Sequence, residues 1–136
     1  MTHGLTTSVD EALDAHTDES PARPGCYALE IDVPETAGLE TLSRDWLRHY
    51  ESTPEYLEEI VELDRCIYVG AAKNVRARLE DHVSRQVRKA TLPTVWGVSD
   101  LITVWWFDSA ELAFEREQWC ADELRRAFPN AYVHAR

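Results

Sequence analysis

The sequence predicts a small α+β domain in which a three-stranded, mostly antiparallel central sheet is flanked by helices. Runs rich in β-branched and aromatic residues predict the strands, near residues 26–33, 64–70 and 101–107. Apolar residues at helical spacing predict helices over residues 74–89 and 109–128. These elements fit one domain, because 136 residues are enough for a single hydrophobic core.

Between the first two strands, the sequence predicts a helical insertion at about residues 36–61. Pro34 ends the first strand, and Pro54 suits the first turn of a second, shorter helix. Apolar residues ahead of Pro54 follow a helical spacing: Leu39, Leu42, Trp46 and Tyr50. The aromatic side chains of the insertion either extend the core, cover a functional site, or form a surface for a protein partner or a second copy.

The second strand is predicted to lead through a tight turn into a helix with a basic side. Gly70 permits the turn, and Asn74 is a good N-cap for the helix. Four residues at helical spacing form the basic side: Arg78, His82, Arg85 and Lys89. This stripe lies beside the strand that carries Tyr68. Alternatively, it is a solvated helix face with an incidental histidine.

The last helix carries a carboxylate, Glu117, near the centre of an apolar face. That face is formed by Ala110, Ala113, Phe114, Ala121, Leu124 and Phe128. Burying a lone carboxylate is costly unless another group pairs with it. Glu117 is therefore either a functional group or a side chain that reaches an arginine or the helix edge. Asp108 and Glu111 predict a capping box at the start of this helix, and Tyr132 and Val133 are expected along the sheet edge.

The remaining segments indicate a cytoplasmic protein. Residues 1–23 are predicted to be a flexible acidic and polar arm without an apolar signal core, ahead of a domain over residues 24–136. No stretch approaches the length of a membrane span. Three cysteines cannot all pair and lack metal-site spacing, which is typical of a reducing compartment: Cys26, Cys66 and Cys120.

Charge is unevenly distributed along the chain. Twenty-five acidic residues face fourteen basic ones, giving a net charge of −11, which usually argues against nucleic-acid partners. Between Lys73 and Lys89, however, six basic residues face only two acidic ones. We therefore expect this segment to bind DNA. The acidic surface indicates adaptation to high salt, where self-repulsion is screened.

Taken in order, these residues resemble the GIY-YIG nuclease domain. Gly25-Cys26-Tyr27 and Tyr68-Val69-Gly70 are similar to its two tyrosine motifs, with cysteine in place of an aliphatic residue. Arg78 and His82 follow Tyr68 by ten and fourteen residues, as in the family. Glu117 matches its catalytic glutamate and Asn130 its asparagine. The resemblance covers residues 24–33 and 64–134, although forty residues separate the two tyrosines where the family has a short hairpin.

The resemblance implies a metal-dependent endonuclease that hydrolyses phosphodiester bonds in DNA, with branched or damaged DNA as candidate substrates. Glu117 would hold one divalent ion, Mg²⁺ or Mn²⁺, and Arg78 would contact the scissile phosphate. Either Tyr27 or Tyr68 would take the proton from the attacking water, with His82 or Lys73 beside it. Gly70 and Asn130 would support this site. Phosphate contacts are expected from five basic residues: Lys73, Arg76, Arg85, Arg88 and Lys89.

Two other readings compete with the enzyme. The domain is alternatively a catalytically silent nucleic-acid-binding or protein-interaction module on the same fold. A third reading is a purely structural protein that interacts through its tryptophans, which leaves the basic stripe and Glu117 without a role. The biological context stays open among repair, recombination, mobile-element processing and defence, because the sequence holds no second domain for target choice.

Overall fold

The computed structural model describes residues 9–14, 22–35, 38–84 and 91–135. In chain order, the elements are α1 (Val9–Asp14), β1 (Gly25–Ile31), α2 (Leu39–Leu47), α3 (Leu57–Glu62), β2 (Arg65–Ala72), α4 (Val75–Ser84), α5 (Leu92–Trp96), β3 (Val98–Trp106), α6 (Ala110–Glu115), α7 (Glu117–Ala127) and β4 (Ala131–Ala135). The α+β class is thereby confirmed.

A mixed, four-stranded sheet organises these elements, in the order β3-β1-β2-β4. β1 pairs antiparallel with both β2 and β3, whereas β4 runs parallel to β2. The prediction of three strands missed β4, although residues at its centre were expected along the sheet edge. β4 has only five residues, and its alternation of apolar and polar side chains is too short to predict a strand.

The register of β1 and β2 decides which side chains share a face of the sheet. Tyr27 lies opposite Gly70, and Leu29 lies opposite Tyr68. Because alternate residues of a strand point to opposite faces, Tyr27 and Tyr68 lie on the same face. The adjacent strands required for a site containing both tyrosines are therefore present.

Two apolar clusters cover the two faces of the sheet. On the face of Tyr27 and Tyr68, α4 contributes Val75 and Leu79. The opposite face is covered by α6 and α7, whose small side chains allow close packing: Ala113, Cys120 and Ala121. Cys26, Cys66 and Cys120 are all buried and free. No helix in the described ranges is long and apolar enough to span a membrane.

The helical insertion packs into the core beneath the tyrosines. Four side chains from α2 and α3 belong to the same cluster as Tyr27 and Tyr68: Leu42, Trp46, Leu57 and Ile60. Polar contacts add to this packing, because Trp96 Nε1 donates to Asp45 Oδ2 at 3.0 Å and the Tyr50 hydroxyl accepts from the Thr91 amide at 3.0 Å. Of the three roles considered for the insertion, extension of the core is the one that this packing shows.

Several element boundaries differ from the prediction. Ser109 rather than Asp108 caps α6, since its side chain accepts from the Leu112 amide at 3.1 Å. The single helix expected over residues 109–128 is divided at Arg116 into α6 and α7. Asn74 Oδ1 accepts from the Ala77 amide at 3.1 Å at the start of α4, as a capping residue should. Within the predicted flexible arm, Val9–Asp14 forms a helix whose Leu13 is fully buried.

Candidate active site

Tyr27 and Gly70 fit together across the two central strands. Gly70 lies inside β2, so the prediction that it forms the turn is wrong; the chain turns after Ala72, at Lys73 and Asn74. A Cβ atom at Gly70 would come within 2.6 Å of Tyr27 Cζ and closer still to its hydroxyl. Gly70 therefore supports the site by leaving room for the Tyr27 ring to cross over β2.

His82 forms a hydrogen bond with the hydroxyl group of Tyr27. The distance from Tyr27 Oη to His82 Nε2 is 2.8 Å, in the interior of the protein. Burial, together with the charge of Arg78, lowers the pKa of His82 to about 3, so the imidazole is neutral at physiological pH. His82 Nδ1 is buried and has no hydrogen-bond partner. An unsatisfied buried acceptor is more common than an unsatisfied N–H, which favours the tautomer in which Nε2–H donates to Tyr27.

Arg78 approaches the same phenolic oxygen from one turn earlier on α4. Burial raises the pKa of Tyr27 most, with smaller increases from Tyr68 and Glu117, whereas the charge and hydrogen bond of Arg78 lower it. Tyr27 is a neutral phenol in this balance. Its oxygen faces two donors, an imidazole and a guanidinium, and both would stabilise a phenolate.

Glu117 is buried, as its central place on the apolar helix face predicts. It is the first residue of α7, directly after the break at Arg116. Its charge contributes to the raised pKa values of Tyr27 and Cys26, which places the carboxylate near β1. Glu117 Oε1 is buried and accepts no hydrogen bond. A carboxylate oxygen in this condition is a suitable ligand for a cation.

Tyr68 lies on the other side of His82 from Tyr27. The rings of Tyr68 and His82 meet edge to face, with centroids 5.7 Å apart, and those of Tyr27 and His82 do the same at 5.6 Å. The two tyrosines thus flank one neutral imidazole. The structure brings together four of the groups predicted to be catalytic: Tyr27, Tyr68, Arg78 and His82. Glu117 begins α7, which covers the opposite face of the sheet.

The predicted phosphate contacts are only partly described. Lys73 is exposed just beyond β2, and Arg76 pairs with Glu80 at 3.2 Å on the outer side of α4. Arg85, Arg88 and Lys89 lie outside the described residues. The basic segment therefore begins at the end of β2, beside the tyrosine cluster.

Asn130 is not part of this cluster. Its carbonyl accepts from the Asp64 amide at 2.9 Å, just before β2 begins. Gly70 lies six residues further along the chain, a separation of roughly 20 Å for an extended strand. β4 starts at the opposite end of the sheet from Tyr27, and the support expected from Asn130 stays a prediction.

Three further aromatic residues beside the cluster were not predicted: Tyr56, Tyr132 and His134. His134 pairs with Tyr68 in the β2–β4 register, and their rings stack with centroids 6.0 Å apart. Tyr56 of the insertion contacts His134 at 4.9 Å between ring centroids. The sequence predicts Tyr132 along the sheet edge but not its strand pairing, so the register with β2 is what reveals the position of His134.

A single hydrated divalent ion suits the groups present. Among the residues that the structure describes, no group of three or more histidine, cysteine or carboxylate side chains can hold a metal ion. Mg²⁺ usually keeps several waters and binds proteins through one or two carboxylates. Glu117, with a buried oxygen that accepts no hydrogen bond, fits such an ion as its one protein carboxylate.

No protein-family model, curated protein or solved structure matches this chain. What the cluster can do follows from its own chemistry. A phenol with two donors on its oxygen can exchange a proton, a guanidinium can bind an anion, and a buried carboxylate can bind a cation. These abilities together suit the hydrolysis of a phosphate ester.

Proposed function

We propose that the chain is a metal-dependent endonuclease that hydrolyses phosphodiester bonds in DNA, with an active site similar to that of GIY-YIG nucleases. The observation that carries this proposal is the position of the Tyr27 oxygen, which lies 2.8 Å from His82 Nε2 and close enough to Arg78 for the guanidinium charge to lower the pKa of Tyr27. Phosphoryl transfer requires a base for water and cationic groups where negative charge accumulates. Tyr27 and Arg78 supply these two needs within one cluster.

Tyr27 is the better candidate for the general base. An ordinary phenol titrates near pH 10 and is a weak base at neutral pH unless its anion is stabilised. Arg78 and the neutral His82 favour that anion at Tyr27, although burial keeps the pKa of Tyr27 raised. In the proposed reaction, the Tyr27 phenol would first lose its proton to solvent, and the resulting phenolate would take a proton from the attacking water while Tyr68 shapes the cleft beside it.

Arg78 and Glu117 have different electrostatic roles in the proposed reaction: Arg78 binds the phosphate, and Glu117 binds a cation. The planar fork of Arg78 would bind the phosphate oxygens as negative charge grows on them. Glu117 would hold one Mg²⁺ or Mn²⁺, which supplies positive charge beside the phosphate when bound. Without it, the Glu117 charge raises the pKa of Tyr27 and opposes formation of the phenolate. Glu117 therefore serves catalysis only as a ligand.

The electrostatic requirements for binding DNA are met locally. Lys73 is exposed at the end of β2, and the basic residues on and beyond α4 continue from it. Contacts of this kind recognise phosphates irrespective of sequence, so we propose DNA as the substrate without a base preference. Affinity should fall steeply as salt rises, because each phosphate contact releases counterions.

The burial of the cluster favours a second candidate function. Only 1% of Tyr27, 3% of Tyr68, 2% of His82 and 6% of Glu117 is exposed. A substrate phosphate needs access to such groups, and a closed cluster would instead suit a silent nucleic-acid-binding or protein-interaction module on the same fold. In that case the domain binds DNA through its basic segment but leaves it intact.

A nicking assay distinguishes the two functions. Supercoiled and branched DNA would be incubated with wild type, Glu117→Ala and Glu115→Ala in Mg²⁺ or Mn²⁺, at low and at molar salt. Glu115 is the matched control, since it is exposed two residues away. We expect cleavage by wild type and Glu115→Ala that requires the metal, and none by Glu117→Ala although it melts cooperatively. DNA binding without cleavage by the wild type would establish the silent module.

A further inference from the structure

His134 faces Tyr68 across the β2–β4 pair at close range. The two residues are direct partners in the parallel register. Their rings lie 21° from parallel with centroids 6.0 Å apart, while His82 meets the same Tyr68 ring edge-on. Tyr68 is therefore held between two imidazoles, one from α4 and one from β4. None of the proposed catalytic steps uses the second imidazole.

The orientation of His134 is fixed from two further sides. The Tyr132 hydroxyl lies 3.0 Å from His134 Nδ1, which restricts rotation of the imidazole ring. Tyr56, the residue directly before α3 in the insertion, contacts His134 with ring centroids 4.9 Å apart. Tyr56 also stacks on Tyr132 with centroids 5.3 Å apart. Rings from the insertion and from β4 thus form a continuous series of ring contacts that reaches Tyr68.

His134 is neutral in this environment. Burial, with a smaller effect from the charge of Arg125, lowers the pKa of His134. Burial also raises the pKa of Tyr56 to about 12 and raises that of Tyr132, so both phenols keep their protons. The series consists of neutral rings, which favour offset stacking and edge contacts without a cost for buried charge.

We propose that His134 is a positioning residue for Tyr68 in the active site, and that Tyr132 and Tyr56 hold it in place. The proposal rests on the nuclease function proposed above. A side chain that forms the wall of a reaction site must be held to within a fraction of an ångström, because small displacements cost large factors in rate. His134 supplies this constraint from the edge strand, and through Tyr56 it connects the insertion to the site.

The test compares steady-state cleavage by wild type, His134→Ala, His134→Phe and Tyr132→Phe, with His49→Ala as an exposed histidine control. For His134→Ala we expect kcat to fall about tenfold with KM within about twofold, since positioning affects the reacting state more than binding. His134→Phe restores a stacking ring and should recover kcat to within about threefold of wild type. Tyr132→Phe should give a partial loss.

A spectroscopic measurement accompanies the kinetics. In protein with ¹³C-labelled tyrosine, the Tyr68 ring signal is identified by its loss in Tyr68→Phe. It should shift in His134→Ala, which removes the stacked ring, and stay in place in His49→Ala.

The outcomes distinguish a failure of the positioning role of His134 from a failure of the proposed nuclease function. An inactive wild type would refute the nuclease, and the role of His134 with it. An active wild type with unchanged kcat in His134→Ala would overturn the positioning role alone. A rise in KM without a change in kcat, failure of His134→Phe to recover activity, or an unmoved Tyr68 signal would also overturn it.

Discussion

At the scale of single residues, the candidate site depends on one glycine and one histidine. Gly70 leaves room for the Tyr27 ring to lie over β2. Tyr27 Oη then forms a hydrogen bond with His82 Nε2. The side chains of Tyr27 and His82 are placed by contacts between strands and helix that no local sequence pattern encodes. The tyrosine motifs predict which residues are functional. The close approach of Tyr27 to Gly70 gives a packing reason why these two residues occur together.

Gly70→Ala tests this close approach. Alanine normally suits a strand better than glycine, so without a clash the change would be neutral or stabilising. Here the added methyl group meets the Tyr27 ring, and we expect the free energy of unfolding to fall by about 1–3 kcal/mol. Urea denaturation measures the change. Gly38→Ala is the control, since a Cβ there has nothing within 4 Å; because Gly38 is the N-cap of α2, the change should cost less than about 1 kcal/mol.

At the scale of elements, the insertion is a part of the fold rather than a flap on its surface. Trp46 of α2 packs against Tyr50, Tyr56 and Trp96 with ring centroids 5.0, 5.8 and 6.0 Å away. Through Tyr56 this aromatic group reaches His134 and then Tyr68. The helices between the first two strands consequently shape the same core face as the candidate site.

Trp46→Ala should therefore destabilise the whole domain. Removing a large buried aromatic side chain costs about 3–5 kcal/mol, and we expect one cooperative transition at lower urea rather than the early loss of a separate unit. Leu47→Ala changes the next residue, which is 51% exposed, and should cost less than about 0.5 kcal/mol. A biphasic transition would show that the insertion folds separately. Equal effects of the two variants would show that Trp46 does not belong to the core.

The sequence predicted local features better than those that depend on tertiary contacts. The α+β class, the adjacent tyrosine strands and the burial of Glu117 follow from residue type and spacing, and the structure agrees with them. β4 and the break at Arg116 were missed because a five-residue strand and a single non-helical residue leave little periodic signal. The role of His134 depends on register across β2 and β4, which spacing within one segment cannot reveal.

At the scale of the whole molecule, the basic residues are concentrated in one segment of an acidic chain. The net charge of −11 is spread over the chain, whereas six basic residues are concentrated between Lys73 and Lys89. That segment follows directly from β2, which carries Tyr68 and Gly70. Under the proposed function, DNA would bind near this segment and be repelled by the acidic remainder of the chain. Binding and cleavage are expected at adjoining parts of the same face.

The rate of DNA nicking by Tyr27→Phe, measured in Mg²⁺ or Mn²⁺ under single-turnover conditions, tests this active site most directly. The change removes one oxygen atom, the one 2.8 Å from His82 Nε2, and keeps the ring that fills the space over Gly70. We expect the rate to fall at least about a hundredfold, as for loss of a general base, with DNA affinity little changed. The free energy of unfolding should fall by about 1–3 kcal/mol, because buried His82 Nε2 loses its partner. Tyr50→Phe, a hydroxyl deletion outside the cluster, should cleave normally. Cleavage by Tyr27→Phe at the wild-type rate would contradict the assignment of this cluster as the active site.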